Sequence, residues 1–330
     1  MTQIAAPSRQ RPRMPAPPAE GENGLFSQSW YPLCESREVP PGAVRGYPFL
    51  DGRVVVVRGE DGVAQVLSAY CPHLGADLGV GSVVGNTVQC AFHHWRYDRD
   101  GRCVATGPGD PPPPNACLFN FPTRERYGLV WAFNGEQPLF DLPGFELPDE
   151  ELLIHTETYP LEFDVDPWVI CCNTPDVQHI RVVHRIRFDS NDPGRAAEWT
   201  DHSMLYDAIG THAHGERVAL RVGIYGTTIF YQAGELQGRW FGFLSPMTVP
   251  RPGRTRLFVV LAVKKSEPEA AAWLETVTAL ERRVVSEDEA ILQTIRFQPG
   301  TLTGSDRTLA RFIDYLRRYP RAHPSRDFIR

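Results

Sequence analysis

QCAFHHWRYD, residues 89–98, sets a cysteine three positions before a histidine and follows it at once with a second histidine, in a chain with 10 histidines among 330 residues. Upstream, CPHLGADLGVGS (71–82) supplies Cys71-x-His73; sixteen residues then lead to Cys90-x-x-His93. Each pair mixes one sulfur with one nitrogen. A structural zinc site more often groups two cysteines and then two histidines. Mixed pairs on two loops suit a two-iron, two-sulfide cluster, in which one iron takes the cysteine of each loop and the other takes the histidine of each loop. Neutral imidazoles in place of two thiolates remove negative charge and raise the reduction potential above that of an all-cysteine cluster.

Working outward, RVVVVRG, VAQVLSAY, NTVQC and YGLVWAF are short strand-like runs separated by DG, VG and RDG turns, which predicts a small all-β unit over 25–142. GPGDPPPPNA (107–116) excludes both a helix and a central strand and reads as a surface loop. Residues 1–24 are rich in Pro, Ala and charge and poor in aromatics, so a flexible tail is expected. From 143 to 330 the grammar changes. A helix-compatible segment at Trp168–His184 precedes the strand-like runs RVALRVGIYG, TTIFYQA, RWFGFLS and RLFVVLAV; then come a long helical pattern from Ser266 to Phe297 and a last helix capped by Ser305. The expected class is α+β, an antiparallel sheet with helices packed on it.

Composition bounds the partners. Hydrophobic residues make up 42% and charged residues 22%, ordinary for a globular protein; the net charge of −6 and pI near 5.9 give no basic face for nucleic acid. No apolar run is long enough to span a membrane and no secretion signal is recognisable, so a cytoplasmic protein is expected. Seven cysteines, an odd and sparse set, argue for metal binding or burial over a disulfide framework.

A second constellation, NTPDVQHIRVVH, holds Asn173, Asp176, His179 and His184. On an ideal helix His179 and His184 point about 140° apart, so one metal takes both only if the helix is irregular; a π-type bulge, encouraged by Pro175, is expected.

CPHLGADL with CAFHHWRYD, flanked by VVVVRGEDG and DRDGRC, resembles the Rieske iron-sulfur signature. Cys71, His73, Cys90 and His93 take the ligand places. His94 stands where relatives usually have Gly or Asp, and Ala91 where they usually have proline. Placed downstream of such loops, the second motif resembles the catalytic iron site of the Rieske non-heme iron oxygenases, with a helix-grip-like catalytic domain. The resemblance implies a facial triad of His179, His184 and a distant carboxylate on Fe(II), open to O2 on the opposite face. VVSEDEAILQ matches the pattern of the third ligand, pointing to Asp288, with Glu287 and Glu289 as competitors that project elsewhere. It further implies that Asp176 bridges the two metal centres between neighbouring subunits of a homotrimer, and that Asn173 lies near the iron.

The activity so implied is that of a terminal oxygenase: monooxygenation of an apolar or aromatic small molecule, by hydroxylation or oxidative demethylation, with a desaturase or ring dihydroxylating dioxygenase as alternative. A Rieske electron carrier lacking the second iron is the reading from another class, and the motif at 176–184 argues against it. No G-x-G-x-x-G fingerprint is present, so a ferredoxin or flavin reductase is expected as electron donor. Arg96, Arg99, Arg102, Arg124 and Arg126 are a candidate docking patch or a scattered solvated surface. Cys171 and Cys172 read as buried small residues, His212 and His214 as an exposed strand, and Tyr225, Phe230, Tyr231, Trp240 and Phe243 as core with some cavity lining.

Overall fold

Four consecutive valines in the strand Gly52–Arg58 cannot all serve one core, because successive strand residues point to opposite faces. Val54 and Val56 join Phe49 and Phe121 on one side; Val55 and Val57 join Cys71, Leu78, Cys90 and Tyr97 on the other. All four are buried, and burying each contributes roughly 1.5–3 kcal/mol. The strand pairs antiparallel with Ala43–Phe49 and with Ala64–Ser68. The second of these cores lies directly beneath the two cysteine–histidine loops, so the valine run is their floor. The computed structural model describes residues 15–212, 215–298 and 300–330.

The remainder is organised by one eight-stranded antiparallel sheet, whose main path runs Leu152–Phe163, Arg254–Lys264, Arg239–Arg251, Ile229–Leu236, Arg217–Tyr225, Ser203–His212, Ile186–Phe188. Its central strands are apolar on both faces, as expected of a sheet covered on both sides. Phe241, Phe243, Leu257, Val259 and Leu261 face the helical side, whereas Trp240, Leu244, Phe258 and Val260 pack against Trp30, Trp131 and Phe133 of the amino-terminal part. The expected boundary at 142/143 falls in a stretch, 134–148, without helix or strand, and the third core packs across it.

Five helices complete the framework among the described residues: α1 (Pro167–Cys171), α2 (Val177–Val182), α3 (Ala270–Leu292), α4 (Arg307–Arg318) and α5 (Arg326–Ile329). The helical segment expected over 168–184 is thus broken. Pro175 donates no backbone hydrogen bond and disfavours helical geometry at Thr174, which separates α1 from α2. The residue at the N-cap of α4 is Asp306, not the expected Ser305; the Asp306 carboxylate accepts from the Thr303 amide instead.

The expected tail is shorter than 1–24. Residues 1–14 lie outside those described, but 19–24 are anchored: Glu20 is buried, its carboxylate accepts from the amide and hydroxyl of Ser27 at 2.9 and 2.6 Å, and its amide donates to Asp166. Composition counts apolar burial only and misses these polar anchors. No helix among the described residues is long and apolar enough to cross a membrane.

Candidate functional site

The two cysteine–histidine loops are built alike. The Cys71 amide donates to the Ala76 carbonyl and the Gly75 amide to the Cys71 carbonyl; in the second loop the Cys90 amide donates to Trp95 and the His94 amide to Cys90. His94 therefore occupies the place of Gly75, and both have positive φ, 55° and 76°. A histidine tolerates this left-handed geometry better than a branched residue, and its side chain is exposed. Gly107, in the proline-rich loop, closes over the second turn: a Cβ there would sit 2.3 Å from the His93 carbonyl oxygen.

These turns bring like atoms together. Cys71 and Cys90 are buried in the same core. His73 and His93 lie toward the surface with Nδ1 atoms 3.1 Å apart, and Trp95 stacks on His73 at 4.4 Å. One thiol pair inside and one imidazole pair outside is the donor set that a mixed cysteine–histidine two-iron cluster requires. Burial pushes the Cys71 thiol up, against a hydrogen bond with the Tyr97 hydroxyl 3.0 Å from its sulfur. Tyr97 was not singled out from sequence; its position two residues after Trp95, on the strand that leaves the loop, is the available clue.

The second constellation also converges. The Nε2 atoms of His179 and His184 lie 3.0 Å apart, and the Asp288 carboxylate approaches them at 3.3 and 3.6 Å. Ligand atoms of all three fall within 4.8 Å of one another. The means differs from the expected π-bulge. Helix α2 ends at Val182, and the Val183 amide still donates to His179 in the ordinary helical pattern; Arg185 then takes a positive φ of 56°. His184 therefore lies beyond the helix end, free of the helical angle that would point it away.

The three acids of VVSEDEAILQ divide as side-chain direction demands. Glu287 accepts from His184 Nδ1 at 2.9 Å, Asp288 faces both Nε2 atoms, and Glu289 accepts from the Tyr159 hydroxyl at 3.2 Å. Asn173 donates to Asp288 Oδ2 at 3.0 Å, while Asp288 Oδ1 is buried without a hydrogen-bond partner. Burial alone would raise the Asp288 carboxyl, but the two imidazoles outweigh it and hold the group at about 2. Burial likewise favours neutral His184, yet Asp288 and Glu287 shift it upward. Two convergent imidazole nitrogens beside a buried carboxylate oxygen suit a divalent iron of the two-histidine, one-carboxylate type.

Glu287 fixes the proton of His184 on Nδ1 and so turns the Nε2 lone pair inward. Glu287→Gln is expected to weaken iron binding roughly 10- to 100-fold, as loss of such an outer partner does. Competition with a ferrous chelator measures this, and unchanged affinity would remove Glu287 from the site. Asp176 is the N-cap of α2, its Oδ1 accepting from the His179 amide at 3.0 Å.

A cavity of about 520 Å³ opens beside these residues, between α3 and the inner face of the large sheet. Of the five aromatics expected from the strands, Phe230 and Phe243 line it; Tyr225, Tyr231 and Trp240 lie on the opposite face with the third core, because strand alternation separates them. Phe163, Phe188, Tyr206, Phe241 and Trp273 complete its aromatic wall. Cys171 borders the cavity, and burial raises both vicinal thiols. His212 approaches Glu216 at 3.1 Å; His214 lies outside the described residues. Arg99 is paired with Asp61, Arg102 with Asp100 and Arg126 with Asp149, so three of the five arginines of the candidate docking patch are engaged within the chain.

Residues 29–122 match the Rieske [2Fe-2S] domain family. The chain is 32% identical over 193 residues to a cholesterol 7-desaturase of Bombyx mori, covering 57% of this chain and 40% of that protein. It is 35% identical over 173 residues to the aminopyrrolnitrin oxygenase PrnD of Pseudomonas fluorescens, covering 49% and 47%. The alignments thus span less than half the length of these relatives. Among solved structures, NdmA of Pseudomonas putida CBB5 with caffeine superimposes with a TM-score of 0.69 at 20% identity, over 87% of this chain and 89% of that one.

Proposed function

Since the chain carries a Rieske [2Fe-2S] domain over residues 29–122 and has the fold of the Rieske non-heme iron oxygenases, we propose that it is the terminal oxygenase component of such a system. The reaction is monooxygenation of an apolar or aromatic small molecule, by hydroxylation or oxidative demethylation. The observation that carries this reading is the meeting of His179, His184 and Asp288 at an apolar cavity, in the same chain as a Rieske domain. An electron carrier has no use for a second such group.

When bound, the cluster, held by Cys71, His73, Cys90 and His93, would supply single electrons, and a ferrous ion, held by His179, His184 and Asp288, would supply O2 activation. The chain's own groups do the rest. Asn173 orients the Asp288 carboxylate, Glu287 orients His184, and the aromatic wall excludes water and holds an apolar substrate beside the open side of the triad. Asp176 is the bridge of the proposal: held at the α2 N-cap, it accepts a hydrogen bond from a cluster-loop histidine of a neighbouring copy. Among the described residues no hydrogen bond joins it to those histidines within one chain. Exposed apolar side chains beside the cluster loops, Leu74 at 67% and Phe92 at 61%, are the surface such a copy would cover. A homotrimer supplied by a ferredoxin or flavin reductase follows from this reading, as does a cytoplasmic place for it.

The likeness to a desaturase supports a second outcome on the same residues, removal of two hydrogens. Incubating the iron-loaded protein with a reductase, NADH, labelled O2 and a panel of apolar substrates, and weighing the products, separates the chemistries. One labelled oxygen gained, or one methyl group lost, is expected. Two oxygens gained, or two hydrogens lost, would select an alternative; about two iron atoms per chain and no O2 uptake would leave a carrier.

A further inference from the structure

The cavity wall holds a buried carboxyl group that the proposed mechanism does not use. Glu281 is only 4% exposed and stands on α3 seven residues before Asp288, hence on nearly the same helix face and about 10 Å away along the axis. Its Oε1 accepts from Gln232 Nε2 at 2.7 Å. Gln232 follows Phe230 by two positions in the strand Ile229–Leu236 and so faces the cavity with it. Val222 and Phe243 stand opposite Gln232 on the two neighbouring strands and line the same cavity. Burial pushes the Glu281 carboxyl up to about 7, with the Gln232 hydrogen bond and the charge of His184 opposing it.

Burying a carboxyl group in an apolar wall is costly even with one hydrogen bond. Fastening α3 to the sheet does not require it, since Trp273, Val277 and Leu292 already bury apolar surface there. Polar groups set singly into an apolar pocket are what fix a ligand's orientation.

We propose that Glu281 and Gln232 together recognise one hydroxyl or N–H group on an otherwise apolar substrate, and thereby select which carbon is presented to the His179, His184 and Asp288 end. The separation along α3 suits a rigid skeleton of two or more rings with its polar group at one end and the reacting carbon near the other. The reaction site at that far end rests on the oxygenase reading; the recognition does not.

The test uses the iron-loaded full chain with two probes, 2-naphthol and naphthalene, by equilibrium dialysis. The wild type should bind 2-naphthol roughly tenfold or more tightly than naphthalene. The double variant Glu281→Leu with Gln232→Leu removes both partners, leaves neither polar group stranded, and should bring the ratio close to one while naphthalene binding persists. Infrared difference spectra serve if that variant does not fold: 2-naphthol should shift a buried carboxyl C=O band in the wild type, naphthalene should not, and Glu281→Gln should lack the band. An unchanged ratio in the double variant, no band shift, or failure of both probes to bind would overturn the proposal. Loss of the third iron or of O2 uptake with the ratio intact would instead count against the oxygenase reading alone.

Discussion

Asp288→Asn is expected to lower the iron content from about three atoms per chain to about two while the protein keeps the visible colour of its cluster. The variant is nearly isosteric, and its remaining carbonyl oxygen can still accept the hydrogen bond that Asn173 now gives to Oδ2 at 3.0 Å, so the fold around α3 should persist. What disappears is the negative charge that the two imidazoles favour, holding the Asp288 carboxyl at about 2, and that makes the set attractive to a divalent cation. Turnover should fall at least about 10³-fold, because the several kcal/mol that a metal contributes to the reaction are lost at about tenfold per 1.36 kcal/mol. Glu287→Gln, one residue away, should cost far less, and Glu289 faces Tyr159 instead. Metal analysis with turnover measurement decides it. A variant that retains the third iron at full occupancy would remove Asp288 from the ligand set.

The second large effect is expected at Asp176. Asparagine caps a helix about as well as aspartate, so Asp176→Asn should preserve the hydrogen bond to the His179 amide, the start of α2 and both metal sites. It removes the carboxylate that the proposed bridge needs to accept a hydrogen bond from a neighbouring copy. Substrate-coupled turnover should drop about 100-fold, the upper end of what such outer partners cost, with all iron retained. Re-oxidation of the pre-reduced cluster by O2 in the presence of substrate, followed by stopped-flow absorbance, should slow in parallel. Asp176→Ala is the less informative change, since it also forfeits the cap, costing about 1 kcal/mol. Full coupled activity in Asp176→Asn would refute the bridging role.

Much of the site was legible because its parts are local. Cysteine and histidine two and three residues apart declare a shared loop whatever the rest of the chain does, and the turn that repeats in both loops needs only a residue tolerant of positive φ, which Gly75 and His94 supply. The choice of Asp288 over Glu287 and Glu289 came from the resemblance of VVSEDEAILQ to the third-ligand pattern; helical geometry adds only that adjacent residues diverge by about 100°, so one at most faces a given point. The manner in which His179 meets His184 was not legible. Helical geometry forbids the meeting, and the structure resolves this by ending α2 at Val182 and turning the chain at Arg185, a choice made by packing rather than by any residue pattern. The anchored segment at Glu20 escaped notice likewise, because its partners Ser27, Asp166 and Arg321 are scattered along the chain.

From the order of residues alone came the two cysteine–histidine loops, the Asp176–His184 motif, the strand-rich and mixed α+β stretches, and the long helix with its acidic triplet, each governed by spacing within a few residues. Tertiary structure decided that Asn173 and Asp288, 115 residues apart, stand in contact. It also decided that Phe230, Gln232 and Glu281 share one cavity while Tyr231 and Trp240 face away. Strand alternation sorts side chains into two faces, but only the docking of α3 on one of them makes that face a pocket.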